Sequence, residues 1–190
     1  MKKLTSLFIF FLTVNLSFAQ NTKFSATISY PLPIGDNFLE AYTGYVDIGA
    51  QYRFLDFNVV QVGVSANLSL IGLDNPEIAN ENLSGTLIYP RLFAEFPLGR
   101  EGAFRPIVGL GYGINSLEEN DSSMGIGIMQ VKNTYEGLIL NIGASYDVWE
   151  SLFIIAQFDW ADIDRGSVAQ GNESFSSRGM LIKLGAGYRF

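Results

Sequence analysis

The side chains in this sequence that could do chemistry are few, and carboxylates come first. Glu118, Glu119 and Asp121 sit together, as do Asp162 and Asp164. Such clusters can hold calcium or magnesium, but neither has the spacing of a calcium loop, and on a polar segment they are ordinarily solvated. Gly109, Gly111 and Gly113 could bring backbone amides to a phosphate, yet no lysine follows them and no strand-to-helix turn encloses them. Asn67-Leu68-Ser69, Asn82-Leu83-Ser84 and Asn172-Glu173-Ser174 match the glycosylation tripeptide, a frequent chance match. Histidine and cysteine are both absent. That removes Ser-His and Cys-His nucleophiles, most transition-metal sites, haem ligation and disulfides. The expectation is no enzyme, no cofactor and no metal centre. Of the remaining charges, Asp47, Arg53, Arg91, Glu95, Arg105, Asp147, Asp159, Lys183 and Arg189 gain meaning from the elements that place them.

Those elements are strands. From Val60 to Leu70, valines, Ala66 and leucines alternate with Gln61, Gly63, Ser65, Asn67 and Ser69. Period-2 alternation marks a strand with two chemically different faces. The same pattern runs through 46–54, 138–146 and 180–190, with weaker copies at 23–30, 86–96, 104–114 and 152–161. No stretch shows apolar residues at helical spacing. The reading is all-β, an eight-stranded antiparallel up-and-down barrel, with most segments close to the 9–11 residues of a tilted transmembrane strand. Connections alternate in length. Leu55-Asp56, 97–103 and 149–151 are short, whereas 31–43, 71–85, 115–133 and 162–179 are long and polar. Short turns at one rim and long loops at the other are the asymmetry of transmembrane barrels.

Residues 1–19 read as a secretory signal peptide, leaving residues 20–190 as the barrel domain. Lys2 and Lys3 precede the apolar run 7–14, and Phe18-Ala19-Gln20 offers a cleavage point. The competing reading, a retained anchor, needs about 20 apolar residues and the run is shorter. The chain carries a net charge of −7, which disfavours a nucleic-acid partner.

A soluble barrel would also alternate, so the polar face must decide between water and lipid. Here it carries Gly, Ser, Asn and Gln rather than many Lys and Glu. Small polar side chains suit the narrow lumen of an eight-stranded barrel. The apolar face is then left to lipid, with Val62, Val64, Leu140 and Leu184 placed near mid-membrane. Aromatics fall at both segment ends, Tyr52, Phe54, Tyr146, Trp149 and Tyr188 by the short turns and Tyr30, Tyr112, Tyr135 and Trp160 by the long loops. Two such girdles are expected of a membrane barrel.

Alternation turns the nine charges named above inward, with Lys23 beside them, and Tyr45, Tyr89 and Phe93 among the glycines. Buried charges must pair. Glu95 with Arg105, and Asp159 with Lys183, are the pairs the spacing suggests. A salt-bridged plug is the first reading of this lumen charge cluster, and a charged selectivity path the second.

The chain ends Lys183-x-Gly185-x-x-Tyr188-x-Phe190. This resembles the terminal targeting signal of bacterial outer-membrane barrels, and Arg105-Pro106 through Gly113 resembles a strand common among the small ones. Together these residues are similar to the eight-stranded OmpA/OmpX/OmpW-like family of outer-membrane barrel domains. The resemblance implies the cell outer membrane as location and outer-membrane lipid as surroundings. It also implies recognition of Lys183, Gly185, Tyr188 and Phe190 by the barrel-assembly machinery. For function it implies a structural or surface-interaction barrel with a filled lumen and four long external loops, with an extracellular ligand or surface as partner. The alternative is a narrow outer-membrane channel for small or hydrophobic solutes; a soluble exported binding barrel is a third reading.

Overall fold

In a computed structural model, which describes residues 23–35, 39, 42–72, 84–121, 129–164 and 176–190, eight antiparallel strands close into a barrel. They are β1 (Phe24–Pro33), β2 (Thr43–Asp56), β3 (Gln61–Gly72), β4 (Ser84–Glu95), β5 (Phe104–Asp121), β6 (Met129–Asp147), β7 (Leu152–Asp164) and β8 (Ser176–Arg189). Each pairs with its sequence neighbours, and β1 closes the ring on β8 from Ser25↔Arg189 to Pro33↔Leu181. The expected signal segment lies outside the described residues. No helix among the described residues is long and apolar enough to cross a membrane.

The wall sorts its side chains by the pleat. Ile48, Leu68, Ile88, Leu110, Leu140 and Leu184 point outward and expose 40% to 57% of their surface. A continuous apolar exterior of this kind would be a liability in water and is the normal state in lipid. Aromatics ring the short-turn rim, with Tyr52, Phe54, Phe104, Tyr146, Trp149 and Tyr188 all exposed. At the β2–β3 turn, below the apolar band, the Asn58 amide donates to the Asp56 carboxylate at 2.9 Å and Gln61 Nε2 donates at 2.7 Å. These two bonds let Asn58 hold a positive φ of 64° and keep the Asp56 carboxyl below the ordinary carboxylate range.

Four expectations need correction. Tyr45 does not point inward: it is the extra residue of a bulge between Gly44 and Val46, and it stands 58% exposed. A bulge places two residues against one and reverses the faces beyond it. Lys23 precedes β1 and is exposed. Tyr135, expected in the outer girdle, packs partly buried against the inner apolar cluster. The segment 115–133 is not simply a loop, because β5 and β6 continue pairing as far as Asp121↔Met129. Among the described residues β4 pairs with β5 as far as Ser84↔Glu118 and β7 with β6 as far as Glu136↔Asp164.

Candidate functional site: the charged lumen

Glycine makes the interior habitable. A Cβ on Gly63 would lie 2.6 Å from the Phe93 ring, and one on Gly113 would lie 2.7 Å from Ile139 and 3.1 Å from Tyr89. Gly111 likewise leaves room for the Arg91 stem. The three glycines of β5 are therefore space for lumen side chains rather than a phosphate cradle. The space serves Tyr89 and Arg91, not Tyr45.

Inside, the side chains form alternating polar and apolar tiers. At the short-turn rim, Glu95 is fully buried and meets Arg53 at 2.7 Å, Arg105 at 3.2 Å and Arg189 at 3.6 Å. Asp147 meets Arg105 at 3.1 Å and also pairs with Arg189. Arg53 donates to Ser25 and Gln51, and Arg189 to Ser145, which spends further donors. The two guanidiniums lie over Phe93 and Phe153, 5.7 and 4.1 Å from the ring centroids. Those rings belong to a buried cluster with Ile107 and Ile155. Cation–π contact of this type gains strength where water is excluded.

Deeper in the lumen four charges form a closed circuit. Lys183 Nζ lies 2.7 Å from Asp47 and 3.0 Å from Asp159. Asp159 accepts from Arg91 at 2.6 Å. Arg91 also donates to the Asn67 carbonyl, and Asn67 Nδ2 donates to Asp47 at 2.6 Å, which completes the ring. Ser69 and Asn141 supply one more hydrogen bond to each carboxylate, at 2.6 Å apiece. All four charged side chains are 1% exposed or less. The circuit draws on β2, β3, β4, β7 and β8, with Asn141 from β6, so it spans the lumen rather than lining one side. Two cations balance two carboxylates, which is the condition for burying charge at tolerable cost.

Above the circuit the lumen turns apolar. Leu87, Tyr89, Ile139 and Leu181 pack with Ile71, Leu117 and Ile163, and Leu39 of the first long connection lies fully buried among them. Tyr89 keeps its hydroxyl satisfied on Asn115 at 3.0 Å and presents its ring 5.0 Å from Lys183 Nζ.

The structure thus brings all nine charged residues singled out in the sequence into the lumen, five at the rim and four in the circuit. Glu95–Arg105 and Asp159–Lys183 are in contact, but each is part of a larger network. Asn67 and Asn141, which were read only as small polar lining, are the neutral links. Asn67 is 4% exposed and tied at both ends of its amide, so the acceptor side chain of its glycosylation tripeptide is buried; the matches at Asn82 and Asn172 lie outside the described residues. The acidic runs lie at the ends of β5 and β7. Among the described residues no group of acidic side chains is placed to hold a metal ion.

At the closure seam the terminal strand is fixed twice. Phe190 N–H donates to the Phe24 carbonyl at 2.9 Å, and the two rings sit 5.6 Å apart. Tyr188 meets Phe190 edge to face at 5.0 Å. Lys183 belongs to the circuit, and Gly185 passes close against the Ile28–Ser29 backbone of β1.

A family model described as outer membrane protein beta-barrel domain matches residues 7–190. Among solved structures, neisserial surface protein A is 17% identical, with a TM-score of 0.58 over 88% of this chain and 96% of that one. Ail, the attachment invasion locus protein of Yersinia pestis, solved with the heparin analogue sucrose octasulfate, is 15% identical with a TM-score of 0.60 over 88% and 97%. The N-terminal barrel domain of Pseudomonas aeruginosa OprF is 14% identical with a TM-score of 0.51 over 88% and 98%. At such identities the likeness is one of fold. No curated protein matches the sequence.

Proposed function

This chain belongs to the outer membrane protein beta-barrel domain family, and from that premise we propose a structural and surface-interaction role. The barrel anchors a surface in the outer membrane and does not serve as a pore. One observation carries this: the buried circuit Asp47–Lys183–Asp159–Arg91–Asn67, with an apolar tier above it and another below. A porin lumen is polar and water-filled, whereas this lumen is interrupted by packed apolar side chains at two levels. The working part is then outside, where β5 and β6 go on pairing to Asp121↔Met129 and carry Glu118, Glu119 and Asp121 toward the long-loop side. Its partner is an extracellular ligand or surface. The lack of histidine and cysteine leaves no histidine-activated serine and no cysteine nucleophile for an enzymatic role. A direct check is solute exchange: vesicles carrying the purified protein should swell in small sugars no faster than protein-free vesicles. Swelling at porin-like rates would remove the anchor reading.

A second reading, a narrow conduit for apolar solutes, draws on the apolar outer half of the lumen. It also draws on the short β1–β2 ladder, which ends at Ser29↔Asp47 while β1–β8 continues to Pro33↔Leu181. Pro31 has no amide to donate, and Gly44, beside the Tyr45 bulge, passes close against the Pro31 carbonyl.

For biogenesis, we propose removal of residues 1–19 on export and reading of Lys183, Gly185, Tyr188 and Phe190 by the barrel-assembly machinery. Deleting Phe190 removes a backbone bond to Phe24 and two ring contacts as well as the signal. Outer-membrane abundance, measured by fractionation and heat-modifiable gel mobility, should fall several-fold. Wild-type abundance of folded protein in the deletion would overturn this assignment.

A further inference from the structure

We propose that the outer wall of β6–β8 binds one acyl chain of a phospholipid from the leaflet at the short-turn rim. A groove of roughly 380 Å³ opens there between Phe104, Tyr146, Ile154 and Leu184, with Ala144 and Ala156 as its floor. The register identifies the residues that frame it. Ala144, Ala156 and Leu184 occupy one rung across β6, β7 and β8, and Pro106 continues it onto β5. The next rung toward the short turns is Phe104, Tyr146 and Ile154, and the next toward the long loops is Val108, Ile142 and Phe158. Short side chains between two rows of long ones leave a hollow that no described residue fills.

The occupant follows from where the hollow lies. It is continuous with the lipid-facing wall, so the molecules that meet it are lipids. No charged side chain lines it, which suits a hydrocarbon chain and not a headgroup. Tyr146 and Phe104, 52% and 45% exposed, stand at its lower edge in the aromatic girdle. Aromatic rings at that level mark the headgroup boundary. A chain entering past them is therefore anchored from below, in the leaflet at the short-turn rim. A second protein copy fits less well. Stable interfaces use about 20–30 residues a side, and this hollow is framed by a handful.

The test is lipid retention by the intact barrel extracted from outer membranes in mild detergent. Native mass spectrometry should find one phospholipid per wild-type barrel after a delipidating wash. Ala156→Phe fills the hollow and should lower that occupancy at least tenfold. Val64→Phe, an enlargement on a row of long side chains of the lipid-facing wall at β3, should leave it unchanged. Should Ala156→Phe lack heat-modifiable mobility, Ala144→Leu replaces it as the blocking variant. Independently, a phosphatidylethanolamine with a diazirine in its acyl chain should label the wild-type strands β6 and β7 more heavily than β2 and β3. Equal retention by wild type and blocked variant, label spread evenly around the wall, or a second copy in place of the lipid would each overturn the proposal.

Discussion

Replacing Lys183 by methionine should destabilise the barrel by about 3–5 kcal/mol, the loss typical when one partner of a buried ion pair is removed. Lys183 is fully buried and is the shared cation between Asp47 and Asp159. Without it, two carboxylates remain in a lumen where Arg91 is the remaining cation of the circuit. Asp159 keeps Arg91 and Asn141, while Asp47 keeps Ser69 and Asn67, so neither is stripped of hydrogen bonds. The loss combines charge imbalance with a stranded acceptor, since Arg91 and Asn141 both bond Asp159 Oδ1 and Lys183 is what faces its Oδ2. Adding Asp159→Asn to Lys183→Met removes one charge of each sign, and Arg91 still reaches Asp47 through the Asn67 amide. The double variant should recover much of the stability lost in the single one. Denaturant titration of protein refolded into lipid vesicles reads all three. A Lys183→Met barrel as stable as wild type would mean that water reaches the circuit and screens it.

The second large effect belongs to the outer face. Leu140 is 41% exposed, flanked by Leu110 on β5 and Trp160 on β7. An arginine there must leave its guanidinium in hydrocarbon, at a cost of about 2–4 kcal/mol near the bilayer midplane. Tyr146→Arg in the girdle should cost about 0–1 kcal/mol, because the charge reaches the interface. Gly143 points the other way. A Cβ there would lie 2.6 Å from the Ala156 carbonyl oxygen and 2.9 Å from Gln157. Gly143→Arg should therefore fail by crowding, whatever the depth. The same vesicle titrations distinguish these cases. Equal stabilities for Leu140→Arg and Tyr146→Arg would contradict the assignment of this face to lipid.

Much of this architecture was legible as period-2 alternation, because one face of each strand meets lipid and the other a crowded lumen. β3 and β8 show it best, and Lys183, Gly187 and Arg189 fall inward as their spacing requires. Alternation fails where the sequence offers few apolar residues: 118–121 and 132–134 carry none, so the ends of β5 and β6 resemble loop in sequence. It fails again at Tyr45, since a bulge shifts the phase without a residue type of its own. Partner choice across the lumen was the least legible part. Arg91 and Asp159 are 68 residues apart, on strands that do not touch, and their meeting depends on barrel stagger. Asn67 carries no charge to mark it, yet it links Arg91 to Asp47.

Everything proposed for function rests on a closed lumen, and single-channel recording of the purified wild-type barrel in planar bilayers tests that most directly. The packed tiers around the Asp47–Lys183–Asp159–Arg91 circuit predict a silent membrane at moderate voltages. Discrete openings whose conductance scales with salt would contradict the filled lumen and establish a conducting path through it.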